Sequence, residues 1–323
     1  MRNDIPTLQD VKSWLGNCFA MKDLGEAAYI LGIRILRDRK RKLIGLSQCI
    51  YLEKVLKRFS MENSKKGELP IQSNAKLSKT QTPSIDEEIA EMSRVPYASA
   101  VGSIMYAMTC TRPDVSFALS MVSRYQGNPR KAHWIAVKNI LKYLRRTKNM
   151  VLVLGGSDDL KVSGYTDASF QTDKDSGRSQ SSWVFLLNGG AVTWKSSKHE
   201  TVADSTCESE YIAASEASKE AAWLKNFIGD LRVVPSIQEP VELFCDNEGA
   251  VALTKELRDH GKSKHIERKY HYIRHQVEEG HLLVKRVSSE DNLADPLSKA
   301  LSRIKHNQHA RSIGLKDDIS FSN

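Results

Sequence analysis

At 323 residues the chain can bury a sizeable core and is long enough for two domains or a little more. Hydrophobic residues make up 40% and charged residues 27%, which excludes disordered and fibrous classes. The 48 Lys+Arg against 39 Asp+Glu leave a formal charge of +9, a balance that favours polyanionic partners and that a plain solubility feature would also produce. No apolar run reaches the ~18–20 residues that a bilayer span needs. The start, Met1 to Pro6, lacks the apolar centre of a secretory signal. An intracellular protein without membrane partners is expected. Five cysteines (Cys18, Cys49, Cys110, Cys207, Cys245) are odd in number and never spaced as CxxC. That argues against a disulfide framework and against a zinc finger.

In chain order, Val11 to Gly16 reads as a short helix, and Ala28 to Ile35 and Lys42 to Ser47 read as two strands around the basic turn Asp38–Arg41. A helix is expected from Cys49 to about Phe59. Gln72 to Ser93, rich in Ser, Thr, Lys and Glu with Pro83 inside it, reads as a linker or surface loop. Three helices are expected between Tyr97 and Arg146, interrupted at Thr111–Asp114 and at Gly127-Asn-Pro129. From Leu160 the texture changes to strands: Val162–Phe170, Ser182–Leu187 and Ala191–Lys195, the last two joined by the hairpin signal Asn188-Gly-Gly190. A long helix over Ser205–Leu231 follows, then strand Val241–Cys245, a helix from Glu248, a helix His265–Glu279, strand Leu282–Val287 and a last helix Asn292–Leu301. This order is that of a mixed α/β sheet.

The long helix gives the sharpest clue to chemistry. Ala214, Ala217, Ala221, Leu224, Ile228 and Leu231 recur at steps of three and four and define a buried stripe, which extends back to Glu210. A carboxylate in line with a packed face needs a partner, and a metal ion supplies one. Glu208 lies about 200° around the helix from it and belongs to the solvated face. Taken alone, Glu210 also reads as a first-turn acid that suits the helix dipole. Asp246 stands where a strand gives way to a helix, the edge at which open α/β sheets place ligands, and also where an N-cap would sit. Asp167 lies inside a strand, which aspartate disfavours. Asp295 precedes Pro296 in a helix start, an ordinary place for an acid.

Residues 164–302 resemble the RNase H domain of the Pol polyprotein of copia-type LTR retrotransposons, of the kind found in plants. The stretches that carry the resemblance are Gly164-Tyr-Thr-Asp-Ala-Ser-Phe170, Ser205-Thr-Cys-Glu-Ser-Glu-Tyr-Ile-Ala-Ala214, Phe244-Cys-Asp-Asn247, Ser263-Lys-His-Ile266, Tyr270-His-Tyr-Ile-Arg274 and Glu290-Asp-Asn-Leu-Ala-Asp-Pro-Leu-Ser-Lys299. It implies an RNase H-like mixed five-stranded sheet with flanking helices, and it places the family's four metal-binding catalytic carboxylates on Asp167, Glu210, Asp246 and Asp295. It further implies two Mg²⁺ ions, replaceable by Mn²⁺, with Asp167 bridging them, Glu210 and Asp246 on one side and Asp295 on the other. Such ions take hard oxygen ligands and sit about 3.5–4 Å apart. The implied partner is an RNA–DNA hybrid, gripped through shape and 2′-hydroxyls. The basic, aromatic-bearing stretch with Lys262, Lys264, Arg268, Lys269 and Arg274 reads as backbone contact to that hybrid or as a solvated helix face. His265, His271, His275 and His281 lack the Cys or paired acid of a zinc site. The loop Val287-Ser-Ser-Glu-Asp291 has none of the histidine that many RNases H carry before the last helix. Glu290 is the residue there that could take part. His199 stands where this family usually has glutamine, and little is expected of it.

Residues 8–150 resemble the end of the same family's reverse transcriptase, through Phe19-Ala-Met-Lys-Asp-Leu-Gly-Glu26, Tyr29-Ile-Leu-Gly-Ile33, Leu46-Ser-Gln48, Val95-Pro-Tyr-Ala-Ser-Ala-Val-Gly-Ser103 and Cys110-Thr-Arg-Pro-Asp114. The Asp158-Asp159 and Asp317-Asp318 pairs lie in a Gly/Ser loop and a polar tail, so neither serves as a polymerase pair. The expected organisation is 1–75, the end of a reverse transcriptase without a polymerase site; 76–155, linker and helical connection; 160–303, RNase H domain; and 304–323, a polar tail. In outline this is a small α+β and helical reverse-transcriptase remnant before an α/β nuclease, with an upstream reverse transcriptase segment as a further partner. The competing expectation is a catalytically idle relic or co-opted protein that binds nucleic acid without cutting it.

Overall fold

The computed structural model of the chain describes residues 5–75, 77–81, 86–156, 160–231, 234–255 and 267–317. Its front part opens with helix α1 (Ile5–Cys18), longer than the expected Val11–Gly16, and strands β1 (Tyr29–Ile30), β2 (Ile33–Asp38) and β3 (Leu43–Ser47). The basic turn between β2 and β3 is fixed by the buried Asp38 carboxylate, which accepts the Arg41 backbone N–H at 2.9 Å and its Nε at 2.6 Å. Helix α2 (Cys49–Arg58) follows as expected. The stretch read as a loop instead contains a 3₁₀ turn (Lys79–Gln81) and helix α3 (Asp86–Ser93), whose Glu88 pairs with Arg130 at 2.8 Å. Ser, Thr and Glu in that stretch suit a helix start and an exposed helix as well as a loop. Helices α4 (Tyr97–Thr111), α5 (Ser116–Ser123) and α6 (Lys131–Arg146) match the expected three. Their apolar faces meet α2 in one core that includes Leu52, Leu56, Ile104, Leu119, Ile140 and Leu144.

Strand β4 (Val151–Gly155) was not legible in the apolar run Val151-Leu-Val-Leu154, and it pairs antiparallel with β3. The second half then runs through β5 (Val162–Ser169), β6 (Gln180–Leu187), β7 (Gly190–Lys198), α7 (Thr206–Leu231), β8 (Val241–Cys245), α8 (Glu248–Leu253), α9 (Glu267–Glu278), β9 (Leu282–Arg286) and the single turn α10 (Asp295–Ser298). The strands lie in the order β7-β6-β5-β8-β9, with β6 antiparallel to both β5 and β7, β8 parallel to β5, and β9 parallel to β8. This is the expected RNase H-like mixed five-stranded sheet. A one-turn α10 replaces the longer last helix read from Asn292 to Leu301. The polar tail is also corrected: residues 303–316 form α11 (Arg303–Ser312) and β10 (Leu315–Lys316), and β10 joins β4 at the edge of the other sheet, ordered β1-β2-β3-β4-β10. Ala310, Ile313 and Leu315 are its buried anchors, too few and too widely spaced to stand out among charged neighbours.

Strand β6 explains the layering. Trp183 and Phe185 face α7, while Val184 and Leu186 face α10, α11 and β10, so alternate residues serve two cores. Gly164 is required beside this strand, because a Cβ there would lie 2.3 Å from the Phe185 ring. The β6–β7 turn has positive φ at both Asn188 and Gly189, as a primed hairpin turn demands. Its tip abuts the other sheet: a Cβ on Gly190 would lie 2.4 Å from the Val153 carbonyl oxygen, and Asn188 O accepts the Gly155 N–H at 3.0 Å.

The Cys110-Thr-Arg-Pro-Asp114 stretch ends α4 and buries an ion pair. Arg112 donates through Nε and Nη2 to the two carboxylate oxygens of Asp114 at 2.9 and 2.6 Å, and through Nη1 and Nη2 to Thr147 O and Oγ1 at 3.1 and 2.6 Å. The Tyr143 hydroxyl donates to Asp114 at 2.6 Å, and His306 of α11 lies 3.1 Å from the Asp114 carbonyl. Burial alone would raise the Asp114 carboxyl, but Arg112 and then Tyr143 hold it below the usual range. Asp114→Asn leaves a buried guanidinium without its counter-charge and should cost about 3–5 kcal/mol, read as a lower urea midpoint. A carboxyl with a lowered folded pKa stabilises above its unfolded value, near pH 4, and loses that contribution as pH falls through the lowered value. The gap between wild type and variant should therefore narrow in acid.

Candidate active site

The carboxyl ends of the parallel neighbours β5 and β8 lie side by side, and the expected residues gather there. Asp167 is the sixth residue of β5, on the face shared with Tyr165, and it pairs across the sheet with Ser182. Asp246 follows the last residue of β8. Glu210 comes from the second turn of α7, and its Oε1 accepts the Ala168 N–H at 3.1 Å, which fixes the helix against the strand end. Asp295 opens α10. Carboxylate oxygens of Asp167, Asp246 and Asp295 lie within 4.8 Å of one another, and Glu210, Asp246 and the Cys245 thiol form a second such group. Asp246, common to both groups, joins the four carboxylates into one cluster.

Helix geometry separates the two glutamates of α7. Glu210 is 7% exposed and lines up with the buried Ala214, Ala217, Ala221, Leu224 and Ile228. Leu231, expected to close the stripe, is exposed. Glu208 instead caps the helix: it accepts the Asp204 N–H at 2.6 Å, while Ser205 Oγ accepts the Glu208 N–H at 3.1 Å. The segment carrying Asp295 is tied down by side chains that reach from the sheet and back. Ser182 Oγ donates to Ala294 O at 2.9 Å, and Asn292 Nδ2 donates to Thr166 O at 2.9 Å.

Electrostatics at the cluster are strained by design of position. Asp167 and Asp295 are each 1% exposed, and Asp246 is partly exposed. Burial, opposed by Lys299 and reinforced by Asp295, pushes the Asp167 carboxyl up to about 6. Burial, then the charges of Asp167 and Asp246, pushes Glu210 well above the carboxylate range. Burial likewise raises the Cys245 thiol, whose Sγ lies 3.9 Å from Glu210 Oε2. Crowded, desolvated carboxylates of this kind call for a cation. Their hard oxygen donors fit a divalent cation.

Three neighbours that sequence reasoning did not single out sit against the cluster. Ser298 Oγ donates to Asp167 Oδ2, and Lys299 places its Nζ 2.8 Å from Asp295 Oδ1 and 3.6 Å from Asp167 Oδ2. The i,i+4 spacing of Asp295 and Lys299 was the available signal. Lys305 of α11, 3.5 Å from Asp295 Oδ2, gave none. Of the residues expected to grip a hybrid, Lys262 and Lys264 lie outside the described residues, as do the side chains of Arg268 and Lys269. Arg274 donates through Nε to the Leu253 carbonyl at 3.1 Å. His265 and the Asp158-Asp159 pair also lie outside. His271, His275 and His281 are exposed and belong to neither group of potential metal donors. His199 is buried against Ser181.

No protein-family model matches the chain. It is 44% identical over 305 residues to the retrovirus-related Pol polyprotein from transposon TNT 1-94 of Nicotiana tabacum, a match covering 94% of this chain and 23% of the polyprotein. It is 32% identical over 217 residues to a putative transposon Ty5-1 protein of Saccharomyces cerevisiae, covering 67% of this chain and 68% of that protein. The chain thus spans about a quarter of the tobacco polyprotein's length. Among solved structures, a crystal structure of LC11-RNase H1 in complex with RNA/DNA hybrid superposes with a TM-score of 0.32 at 22% identity, covering 42% of this chain and 93% of that one.

The raised Asp167 carboxyl has a measurable consequence. A carboxyl whose folded pKa is raised costs stability wherever the fold must keep it ionised, and the cost fades as pH falls from about 6 towards the unfolded value near 3.9. In chelator, Asp167→Asn should be more stable than wild type at neutral pH by about 1–3 kcal/mol, with the difference gone near pH 4. Urea unfolding across that range measures it.

Proposed function

Because the chain belongs to the retrotransposon Pol polyproteins, we propose that residues 160–303 form an RNase H-type endonuclease that hydrolyses the RNA strand of RNA–DNA hybrids with two divalent metal ions. The observation that carries this reading is the convergence of Asp167, Glu210, Asp246 and Asp295 at the carboxyl edge of a mixed sheet. Glu210 and Asp246 would hold one ion and Asp295 the other, with Asp167 between them. When bound, such ions lower the pKa of an attacking water and stabilise the leaving oxygen of an in-line displacement. The chain's own residues supply the frame: the Ala168 amide fixes Glu210, Ser298 orients Asp167, and the segment before Asp295 is held by Ser182 and Asn292.

The basic stretch with Lys262, Lys264, Arg268, Lys269 and Arg274 would follow the hybrid's phosphates, which position a duplex without reading its sequence. Residues 1–75 and 76–155 would support the nuclease and an upstream reverse transcriptase segment of a full Pol product, and would catalyse nothing themselves. Residues 19–48 and 95–114 carry that family's motifs without a polymerase aspartate pair.

Cleavage of a labelled RNA–DNA hybrid in Mg²⁺ or Mn²⁺ is the direct test. Asp246→Asn should lose more than about a hundredfold in rate, beyond what removal of an outer-shell partner costs. Equal rates, or an inactive wild type, would sink the catalytic reading and leave a nucleic-acid-binding relic. Neutralising Lys264, Arg268 and Lys269 together should weaken hybrid binding and lower the slope of log K against log salt by about 1 for each phosphate contact removed. An unchanged slope would take that stretch out of the interface.

A further inference from the structure

The two sides of the carboxylate cluster are unequally neutralised. On one side Lys299 Nζ stands 2.8 Å from Asp295 Oδ1 and 3.6 Å from Asp167 Oδ2, and Lys305 Nζ stands 3.5 Å from Asp295 Oδ2. On the other side, among the described residues, the structure shows no salt bridge to Glu210 or Asp246. An ammonium in contact with both Asp167 and Asp295 occupies the space in which a cation shared by those carboxylates would have to sit. It also repels a divalent ion placed there.

The lysine is placed so that it can leave. Lys299 is the first residue past α10, with extended backbone (φ −146°, ψ 160°), and its side chain is 37% exposed. Rotation about its flexible stem carries the ammonium into water without moving the backbone. Asp167 and Asp295, each 1% exposed and held by bonds from Ser298 and the neighbouring sheet, stay in place.

We propose that Lys299 is a resident counter-cation of the Asp167–Asp295 pair, displaced when an ion loads there, so that the two ions bind in sequence with the Glu210–Asp246 side first. The inference rests on the metal reading above and adds an order of loading and the residue that sets it. Lys299 acts here as a gatekeeper of metal affinity, and Lys305 reinforces it through Asp295 alone.

Mn²⁺ binding to the full chain tests this, by calorimetry and by the electron paramagnetic resonance signal of free Mn²⁺, on wild type, Lys299→Met and Lys299→Gln. Wild type should take one ion tightly and a second more weakly. Both neutral variants should tighten the second association by at least about tenfold, roughly 1.4 kcal/mol, and leave the first nearly unchanged. Without metal they should melt below wild type, and Mn²⁺ should raise their melting temperature by more than it raises that of wild type. Two equal sites in wild type, or an unchanged second constant in a variant with wild-type circular dichroism, would overturn the gatekeeper role while leaving the metal reading intact. If no chain takes up Mn²⁺, or uptake survives Asp246→Asn undiminished, the metal reading itself falls and this inference with it.

Discussion

Like-charge repulsion among buried carboxylates is the constraint around which this part of the molecule is arranged. The buried Asp167, Glu210 and Asp295 meet the partly exposed Asp246, so their mutual repulsion is poorly screened and each must be held against the others. None of the four would gather there by its own preference. Asp167 lies within a strand, Glu210 sits on an alanine-rich packing face, and Asp295 is buried at the start of a one-turn helix. The surrounding fold therefore has to over-determine their positions, and the raised carboxyls of Asp167 and Glu210 record the strain that remains.

That over-determination comes from backbone-directed hydrogen bonds and two-sided packing. The alanines of α7 let the helix approach the sheet closely enough for Glu210 to reach the Ala168 amide. Strand β6, covered on both faces, supplies Trp183 and Phe185 to the α7 side, and Val184, Leu186 and the Ser182 hydroxyl to the α10 side. A single strand thus fixes the two elements that bring Glu210 and Asp295 from opposite faces. Parallel pairing of β5 with β8 does the rest, since it alone sets Asp167 and Asp246 at the same edge.

Legibility in the sequence follows the same division. Period and turn chemistry made the strands, the Asn188-Gly-Gly190 hairpin and the long helix readable, and the stripe of α7 separated Glu210 from Glu208 before any coordinates. Resemblance then joined the four carboxylates, which no local pattern could have done. What stayed hidden were features defined only by distant partners. Strand β4 is a short apolar run whose role appears when β3 and β10 flank it. α11 and β10 hide among Lys, Arg and His because their buried apolar residues are Ala310, Ile313 and Leu315, while His306 and His309, also buried, read as polar. Lys299 was visible in the last motif, but its contact with Asp167 spans the whole domain and has no signature in spacing.

The carboxyl-terminal residues tie the two halves of the chain together. Helix α11 touches the buried Arg112–Asp114 pair through His306 and touches the carboxylate cluster through Lys305, one residue away. Ala300, directly after Lys299, packs on the core formed by α2 and α4–α6, and α10 itself lies against α5. Strand β10 then closes the sheet that begins with β1. One wall of the nuclease-like site is therefore built on the front part of the chain, so that a boundary drawn at residue 303 would cut through the support of Asp295. Removing the front half would expose the core under Ala300 and free α11 together with its lysine. On this physical ground the front part of the chain is a structural component of the site.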